Sequence, residues 1–186
     1  MLIWIAAAVL AALALYLWRK NALIAAKAPQ AGETAPAFSL PDQNGNLRSL
    51  EQFRGKWLVL YFYPRDDTPG CTEQAMRFRN TMRELEALDA TVCGVSVDDS
   101  ASHAAFARKY NLPFALLADR GGDVAAQYGS LRHFGVIRIA KRNTFLVDPD
   151  GCVAKVYFGV SAARNADEVK DDLKRRQSHG PATEGT

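Results

Sequence analysis

The segment Trp57–Tyr63 constrains the fold of this chain more than any other stretch. Its sequence, WLVLYFY, is a continuous run of aliphatic, β-branched and aromatic side chains. A short apolar run without polar residues at alternate positions is typical of a central strand that a sheet buries on both faces. A polar loop follows, and over Cys71–Leu88 the apolar side chains then recur at helical spacing. The sequence therefore predicts a sheet whose two faces are both covered.

The rest of the chain continues this alternation of strands and helices. Its turn signals include Asp-Pro-Asp-Gly at 148–151, which is typical of a hairpin. The pattern predicts an α/β domain of thioredoxin-like fold over residues 33–176, with a central mixed sheet flanked by helices. The remaining predicted elements are two short segments around a turn at 44–46, strand Thr91–Val97, helix Ser102–Tyr110, strand Phe114–Leu117, helix Asp123–Tyr128, the hairpin of Asn143–Val147 with Val153–Phe158, and helix Asp167–Arg176 with Asn165 as its N-cap.

Composition and charge exclude several functional classes. Of the 186 residues, 48% are apolar, which is enough for one domain with an ordinary core. A formal net charge of +3 without a basic stripe argues against a nucleic-acid partner. The three cysteines and three histidines stand apart, without a CxxC pair or zinc-like spacing. We therefore expect neither a metal nor a cofactor.

Residues 2–18 form an apolar run of 17 residues without a charge or a proline. As a helix this run spans about 26 Å, close to the roughly 30 Å of a bilayer core. A cleaved secretory signal is the alternative, but it requires positive charge before the run, and here Arg19 and Lys20 follow it. The sequence therefore predicts an N-terminal transmembrane helix, an anchor over residues 1–20.

The basic residues that follow the apolar run also predict the membrane side. Positive flanks stay on the cytoplasmic side, so the folded domain is expected in the cytoplasm. A domain exported by a cleaved signal or facing the periplasm remains the alternative. Residues 21–32 are expected to form a tether. Residues 177–186 have no large apolar side chain and are expected to form a disordered tail.

The stretch that carries chemistry lies between the first long strand and the first helix. Its sequence over residues 61–74 is YFYPRDDTPGCTEQ, so a buried strand ends, a polar loop follows and Cys71 opens a helix. Unpaired N–H groups and the positive end of the helix dipole favour a thiolate at such a position, and the thiolate is the nucleophilic form. The loop carboxylates Asp66 and Asp67, and His103 on a later helix, are expected to be exposed.

These residues resemble the peroxiredoxin signature PxxxTxxC, which Pro64, Thr68 and Cys71 match. The sequence YFYP…TPGCT is similar to the bacterioferritin-comigratory, or PrxQ, subfamily, and the resemblance extends from 36–56 to RNTFLVDPDG at 142–151. The resemblance implies a thiol peroxidase that reduces hydrogen peroxide and organic hydroperoxides through a cysteine sulfenic acid. It implies antioxidant function in a monomer or weak dimer.

The resemblance also implies a role for each matching residue. Cys71 would be the nucleophile, and Thr68 would present its hydroxyl to the peroxide and the sulfur. Pro64 would shield the sulfur from water, and Arg142 would stabilise the thiolate and the charge that develops on oxygen. The basic residues at positions 138 and 141 remain alternative sources of that positive charge.

The chain departs from many members of this subfamily five residues after the nucleophile, where they carry a resolving cysteine. Met76 stands there, and its thioether cannot form a disulfide. The predicted elements put Cys93 on the order of 20 Å and Cys152 roughly 17 Å from Cys71, whereas a disulfide needs Cα atoms within about 7 Å. We therefore predict a one-cysteine cycle in which an external thiol (thioredoxin, a glutaredoxin or glutathione) reduces the sulfenic acid.

Other functions of the same fold fit the sequence less well. A disulfide reductase needs CxxC, but Gln74 occupies the second cysteine position, and a copper-carrying assembly protein needs CxxxC, where Ala75 stands. A non-catalytic chaperone or interaction domain has no need for the complete set of Pro64, Thr68, Cys71 and Arg142.

Overall fold

The computed structural model describes residues 27–134 and 137–178. The predicted anchor over residues 1–20 lies outside the described residues, as does most of the predicted tail. Within those two ranges no helix combines the length and hydropathy needed to cross a bilayer.

In chain order the elements are β1 Ser39–Pro41, β2 Leu47–Ser49, a 3₁₀ helix Leu50–Phe53, β3 Trp57–Phe62, α1 Pro69–Glu86, β4 Ala90–Ser96, α2 Ser100–Tyr110, β5 Ala115–Ala118, α3 Asp123–Gln127, β6 Leu131–Phe134, β7 Ile137–Ala140, β8 Asn143–Val147, β9 Val153–Tyr157 and α4 Asn165–Ser178.

A five-stranded sheet in the order β5-β4-β3-β8-β9 forms the centre of the domain. Strands β3, β4 and β5 run parallel, and β8 and β9 are each antiparallel to their neighbours. The central strand is β3, whose residues from Leu58 to Phe62 are each at most 1% exposed. The mixed sheet and the doubly buried central strand predicted from WLVLYFY are both confirmed.

Each face of the sheet has its own apolar core. On the first face, Val59 and Tyr61 of β3 pack with α1, α2 and α4. The predicted α1 stripe lies on this face: Ala75, Phe78, Met82 and Leu85 are all buried. Each large apolar side chain buried in this way stabilises the fold by about 1.5–3 kcal/mol. On the second face, the other β3 side chains pack with α3 and with the segment before β1.

The chain ends differ from the sequence prediction. Residues 27–32 were expected to belong to a free tether, but Pro29 is buried and the N–H of Gly32 donates to the carbonyl of Val153 at 2.8 Å. This part of the predicted tether therefore packs on the domain. At the other end, α4 continues to Ser178, two residues past the predicted limit of the domain.

Two other elements differ from expectation. The hairpin β6–β7 was not predicted. Arg132 and His133 are adjacent in β6, so this strand lacks the alternation of apolar and polar side chains on which strand prediction depends. These two strands pair only with each other and lie outside the central sheet. Asn165 was predicted as an N-cap but is the first residue of α4, and its side-chain oxygen accepts hydrogen bonds from other elements.

Candidate active site around Cys71

The fold places Cys71 in the first turn of α1, directly after the central strand. Pro69 is the first residue of the helix, a position where the missing N–H of proline is no loss. The first helical hydrogen bond runs from the N–H of Thr72 to the carbonyl of Thr68, at 2.8 Å. The N–H groups of Gly70 and Cys71 therefore have no acceptor within the helix and are free to bind an anion. Cys71 itself is only 1% exposed.

Arg142 reaches Cys71 because β8 runs antiparallel to β3. Asn143 pairs with Phe62, the last residue of β3, so Arg142 lies just beyond the end of that strand. Its Nη2 lies 3.4 Å from the Cys71 sulfur, and its Nη1 donates to the carbonyl of Gly70 at 3.2 Å. A Cβ atom on Gly70 would come within 3.1 Å of Nη2, so glycine at this position leaves room for the guanidinium. The structure thus brings together the sulfur and the guanidinium that the resemblance pairs.

The two alternative cations point elsewhere. Arg138 donates through Nη1 to the carbonyl of Gly121 at 2.6 Å. Lys141 donates through Nζ to the carbonyl of Gly129 at 2.9 Å. Both charged groups are therefore engaged away from the sulfur, and Arg142 is the one of the three candidate cations that contacts it.

Gln74 and Asn165 belong to the site, although the sequence analysis assigned neither a role there. Nη1 of Arg142 donates to Oε1 of Gln74 at 2.7 Å, and Nε2 of Gln74 donates to Oδ1 of Asn165 at 2.9 Å. The hydroxyl of Thr144 donates to the same oxygen at 2.8 Å. Gln74, Asn165 and Thr144 are all fully buried. Helical spacing was the signal for Gln74, which follows Cys71 by three residues and precedes Phe78 by four.

Thr68 and Pro64 both lie in the loop that leads from β3 to the helix of Cys71. The single hydroxyl proton of Thr68 is donated to the carbonyl of Arg65, at 3.1 Å, rather than to the sulfur. Its oxygen lone pairs remain able to accept a hydrogen bond from a bound hydroperoxide. Pro64 is half-buried and, with Arg142, lines a cleft of about 690 Å³. The apolar side chains in the wall of this cleft include Ile139, Phe158 and Val160.

Asp66 anchors the loop before Cys71 to helix α2. It was predicted to be exposed, but it is buried and its carboxylate accepts hydrogen bonds from Tyr63 at 2.7 Å and Ser102 at 2.7 Å. Nδ1 of His103 lies 2.8 Å from the same carboxylate, and His103, also predicted to be exposed, is fully buried. The neighbouring Asp67 is exposed, as predicted. The sequence signal for burial was that His103 precedes the buried residue Phe106 by three positions.

This network lowers the pKa of Asp66. Burial alone would raise the pKa of the carboxyl, but the hydrogen bonds from His103, Ser102 and Tyr63 outweigh it and hold the pKa below 3.8. The charged form of Asp66 therefore contributes stability at neutral pH. That contribution is present above the unfolded-state pKa and is lost as the pH falls through the lower folded-state pKa.

Replacing Asp66 with asparagine should destabilise the protein at pH 7 and make its stability less sensitive to acid. An amide has one acceptor oxygen where the carboxylate has two, so we expect a loss on the order of 2 kcal/mol. The difference from the wild type should begin to shrink below about pH 3.8, where the carboxyl of the unfolded chain takes up a proton, and should be lost once the pH falls through the lower folded-state pKa. Urea unfolding at several pH values measures both effects. Asp150→Asn, which changes an exposed carboxylate in the hairpin turn, is the control, and an equal loss in that variant would contradict the explanation.

The other two cysteines lie away from Cys71. Cys93 is fully buried on the opposite face of the sheet, and burial raises its pKa far above the ordinary value, so it stays a thiol. Cys152 precedes β9, whose first residue pairs with Val147 at the far end of β8. The length of β8, roughly 14 Å, therefore separates Cys152 from the end of the sheet that carries Arg142. All three cysteines are free thiols.

Among the described residues no three His, Cys, Asp or Glu side chains converge to hold a metal ion.

Comparison with known proteins agrees with this geometry. Residues 31–156 match the AhpC/TSA family. The putative peroxiredoxin bcp of Coxiella burnetii is 40% identical over 144 residues, which cover 75% of this chain and 95% of that protein. The chloroplastic peroxiredoxin Q of Sedum lineare is 45% identical over 140 residues, covering 75% and 73% of the two chains. This chain is a peroxiredoxin of the AhpC/TSA family, PrxQ subfamily.

Solved structures of other peroxiredoxins extend the similarity to the whole domain. The crystal structure of the peroxidoxin BcpB from Mycobacterium tuberculosis aligns with a TM-score of 0.76 at 35% identity, covering 79% of this chain and 97% of that one. A PrxQ mutant from Xylella fastidiosa aligns with a TM-score of 0.75 at 28% identity, covering 80% and 98%. The predicted thioredoxin-like α/β fold is confirmed. As a peroxiredoxin, the protein is a thiol peroxidase.

Proposed function

We propose that this peroxiredoxin reduces hydrogen peroxide and organic hydroperoxides with the sulfur of Cys71. One observation carries the proposal: Nη2 of Arg142 lies 3.4 Å from that sulfur, at the N-terminus of a helix. A guanidinium and unpaired N–H groups favour the thiolate, the form that attacks peroxide. The thiolate attacks the terminal oxygen of the hydroperoxide. An S–O bond forms as the O–O bond breaks, so the sulfur is oxidised to a sulfenic acid and the leaving oxygen takes a proton to give water or an alcohol.

The neighbouring residues supply the electrostatic support that this displacement needs. Negative charge moves from the sulfur to the leaving oxygen, and Arg142 with the N–H groups of Gly70 and Cys71 would stabilise it. The Thr68 oxygen would accept a hydrogen bond from the hydroperoxide O–H and hold the attacked oxygen in line with the sulfur. Pro64 would limit the access of water. The low exposure of Cys71, 1%, supports a reaction in a largely dry pocket, where these charges act most strongly.

The cleft beside Arg142 supports organic hydroperoxides as substrates in addition to hydrogen peroxide. Its volume of about 690 Å³ accommodates an alkyl group, and the side chains of Ile139, Phe158 and Val160 offer apolar contacts. A solved structure of the bacterioferritin comigratory protein from Xanthomonas campestris, described for its alkyl peroxide reduction activity, aligns with a TM-score of 0.73 at 30% identity.

The proposed activity is tested by trapping the oxidised sulfur. One equivalent of hydrogen peroxide, added to the reduced chain with dimedone present, should label Cys71 as a sulfenic acid, and the peroxide should be consumed one for one. In a parallel sample without dimedone, thioredoxin with its reductase, or glutathione, should sustain turnover. Labelling of Cys93 or Cys152 in place of Cys71, or no peroxide consumption at all, would overturn the assignment.

We infer a one-cysteine cycle for the second half of the reaction. Met76 stands where a local partner would be, Cys93 faces the other side of the sheet, and Cys152 lies at its far end. The sulfenic acid would therefore condense with an external thiol to form a mixed disulfide and water, and a second thiol would release Cys71. Thioredoxin, a glutaredoxin or glutathione can supply both thiols.

Non-reducing mass spectrometry after one equivalent of peroxide should find no disulfide within the chain. The expected species is Cys71 sulfenic acid, or a mixed disulfide once a thiol is added. Peptides that join Cys71 to Cys93 or to Cys152 would refute the one-cysteine cycle while leaving the peroxidase activity intact.

We also propose, from the sequence alone, that residues 2–18 anchor the peroxidase in a membrane with the catalytic domain on the cytoplasmic side. A topology reporter fused after Thr186 tests the side. Reporter activity on the opposite side, or a mature chain that begins after residue 20, would contradict the proposal.

A further inference from the structure

The hydrogen bonds behind Arg142 form a buried chain with a defined direction. Arg142 donates to Oε1 of Gln74, and Nε2 of Gln74 donates to Oδ1 of Asn165, at 2.7 Å and 2.9 Å. Thr144 donates its hydroxyl to the same Oδ1 at 2.8 Å. Gln74, Asn165 and Thr144 are each fully shielded from water, so solvent cannot replace any of these bonds.

A guanidinium has only donors, whereas an amide has one acceptor end and one donor end. Gln74 supports Arg142 only when its oxygen faces the guanidinium. Turned by 180° about its last torsion, the amide would present N–H to N–H at Arg142 and oxygen to oxygen at Asn165. The orientation of Gln74 therefore depends on Asn165 offering an acceptor, and Thr144 holds that acceptor in place by donating its hydroxyl proton to it.

The unsatisfied amide donor of Asn165 supports the interpretation that this residue is held with its oxygen toward Gln74. Nδ2 of Asn165 is buried and has no hydrogen-bond partner among the described residues. If the Asn165 amide were reversed, Nδ2 could donate to the Thr144 oxygen, but the amide would no longer accept from Gln74. A buried donor without a partner is unfavourable. The orientation that keeps the acceptor toward Gln74 is thus held in spite of that cost.

We propose that Asn165 and Thr144 are positioning residues, which fix the amide of Gln74 so that its oxygen holds Arg142 against Cys71. The proposal rests on the role of Arg142 proposed above. Neither Asn165 nor Thr144 touches the sulfur; they act through Gln74. The closing helix α4 therefore contributes to the reactivity of a cysteine on α1.

A double-mutant cycle tests the proposal. In Gln74→Glu the side chain ends in two equivalent oxygens, so it offers an acceptor to Arg142 whichever way it turns. Asn165→Ala in the wild-type background should slow the reaction with hydrogen peroxide about tenfold, because a Gln74 amide that is free to turn no longer holds its hydrogen bond to the charged Arg142. It should also move the iodoacetamide alkylation profile of Cys71 to higher pH. In the Gln74→Glu background the same substitution should change neither quantity by more than about twofold.

The outcomes separate positioning from a purely structural role. If Asn165→Ala lowered the rate with hydrogen peroxide equally in the wild-type and Gln74→Glu backgrounds, or lowered it in neither, the proposal would be overturned. If Asn165→Ala fails to fold, Thr144→Val replaces it in the cycle. This substitution removes the hydroxyl that holds the Asn165 oxygen, with little change in volume, and it should likewise slow the reaction in the wild-type background but not in the Gln74→Glu background. Thr81→Val is the matched control, since the Thr81 hydroxyl is buried on α1 but donates to the Arg77 carbonyl of its own helix. An inactive wild-type chain would refute the proposed function itself, so the two failures are distinguishable.

Discussion

Replacing Cys71 with serine is expected to abolish peroxide reduction, with a residual rate at least about 10⁴-fold below that of the wild type. A serine hydroxyl stays protonated at neutral pH and cannot be oxidised as sulfur is, so neither the nucleophile nor the sulfenic acid can form. The measurement is peroxide consumption under single-turnover conditions, which requires no knowledge of the physiological reductant. Thermal unfolding should show little change, because serine is close to cysteine in size.

The other two cysteines provide matched controls for this result. Cys152→Ser and Cys93→Ala should each leave the rate with peroxide within about twofold of the wild type. Cys93 lies in the core of the other face and its pKa is raised by burial, so its substitution should affect stability more than activity. A Cys71→Ser protein that still consumes peroxide would refute the assignment of Cys71 as the nucleophile.

Replacing Arg142 with methionine should lower the rate constant with hydrogen peroxide by about 10²–10³-fold. Methionine keeps much of the apolar stem but removes the positive charge and the donors that face Cys71, Gly70 and Gln74. The buried oxygen of Gln74 loses a partner as well, so the free energy of unfolding should fall by about 1–3 kcal/mol. Stopped-flow kinetics and urea unfolding measure the two effects separately.

Arg138→Met is the control for this prediction. Arg138 was the alternative cation in the sequence and donates instead to the carbonyl of Gly121. Its substitution should leave the rate with peroxide within about twofold. Equal losses in the Arg138 and Arg142 variants would mean that general charge near the cleft, not the contact with the sulfur, sets the rate. Arg142→Lys should recover only part of the activity, because an ammonium cannot reproduce the forked contacts of a guanidinium.

The sequence predicted those parts of the fold that depend on local patterns. The doubly buried strand β3, the apolar stripe of α1 and the hairpin at 148–151 follow from periodicity and turn residues that lie close together in the chain. The pairing of Cys71 with Arg142 came from a resemblance and not from spacing. The hairpin β6–β7 was missed because basic residues occupy it and its two strands pair only with each other.

The polar residues that were missed share one physical cause. Gln74, His103 and Asn165 each stand on the apolar stripe of a helix, three or four residues from a buried Phe or Val. From the sequence, His103 was expected to be exposed, Asn165 was predicted as an N-cap, and Gln74 was assigned no role in the site. A polar side chain can occupy such a position when a partner compensates for its lost hydration. Those partners lie far away in the chain, 37 residues for His103 and Asp66 and 91 for Gln74 and Asn165. No local pattern reveals them.

The wide separation of these partners along the chain has a consequence for how the protein is made. The cysteine is synthesised 71 residues before its arginine, and the glutamine 91 residues before its asparagine. A chain still emerging from the ribosome thus carries an ordinary thiol, with no cation beside it and no oriented amide behind that cation. We expect full reactivity toward peroxide only after the last helix has docked, so the nucleophile of the nascent chain should react with peroxide more slowly than that of the folded protein.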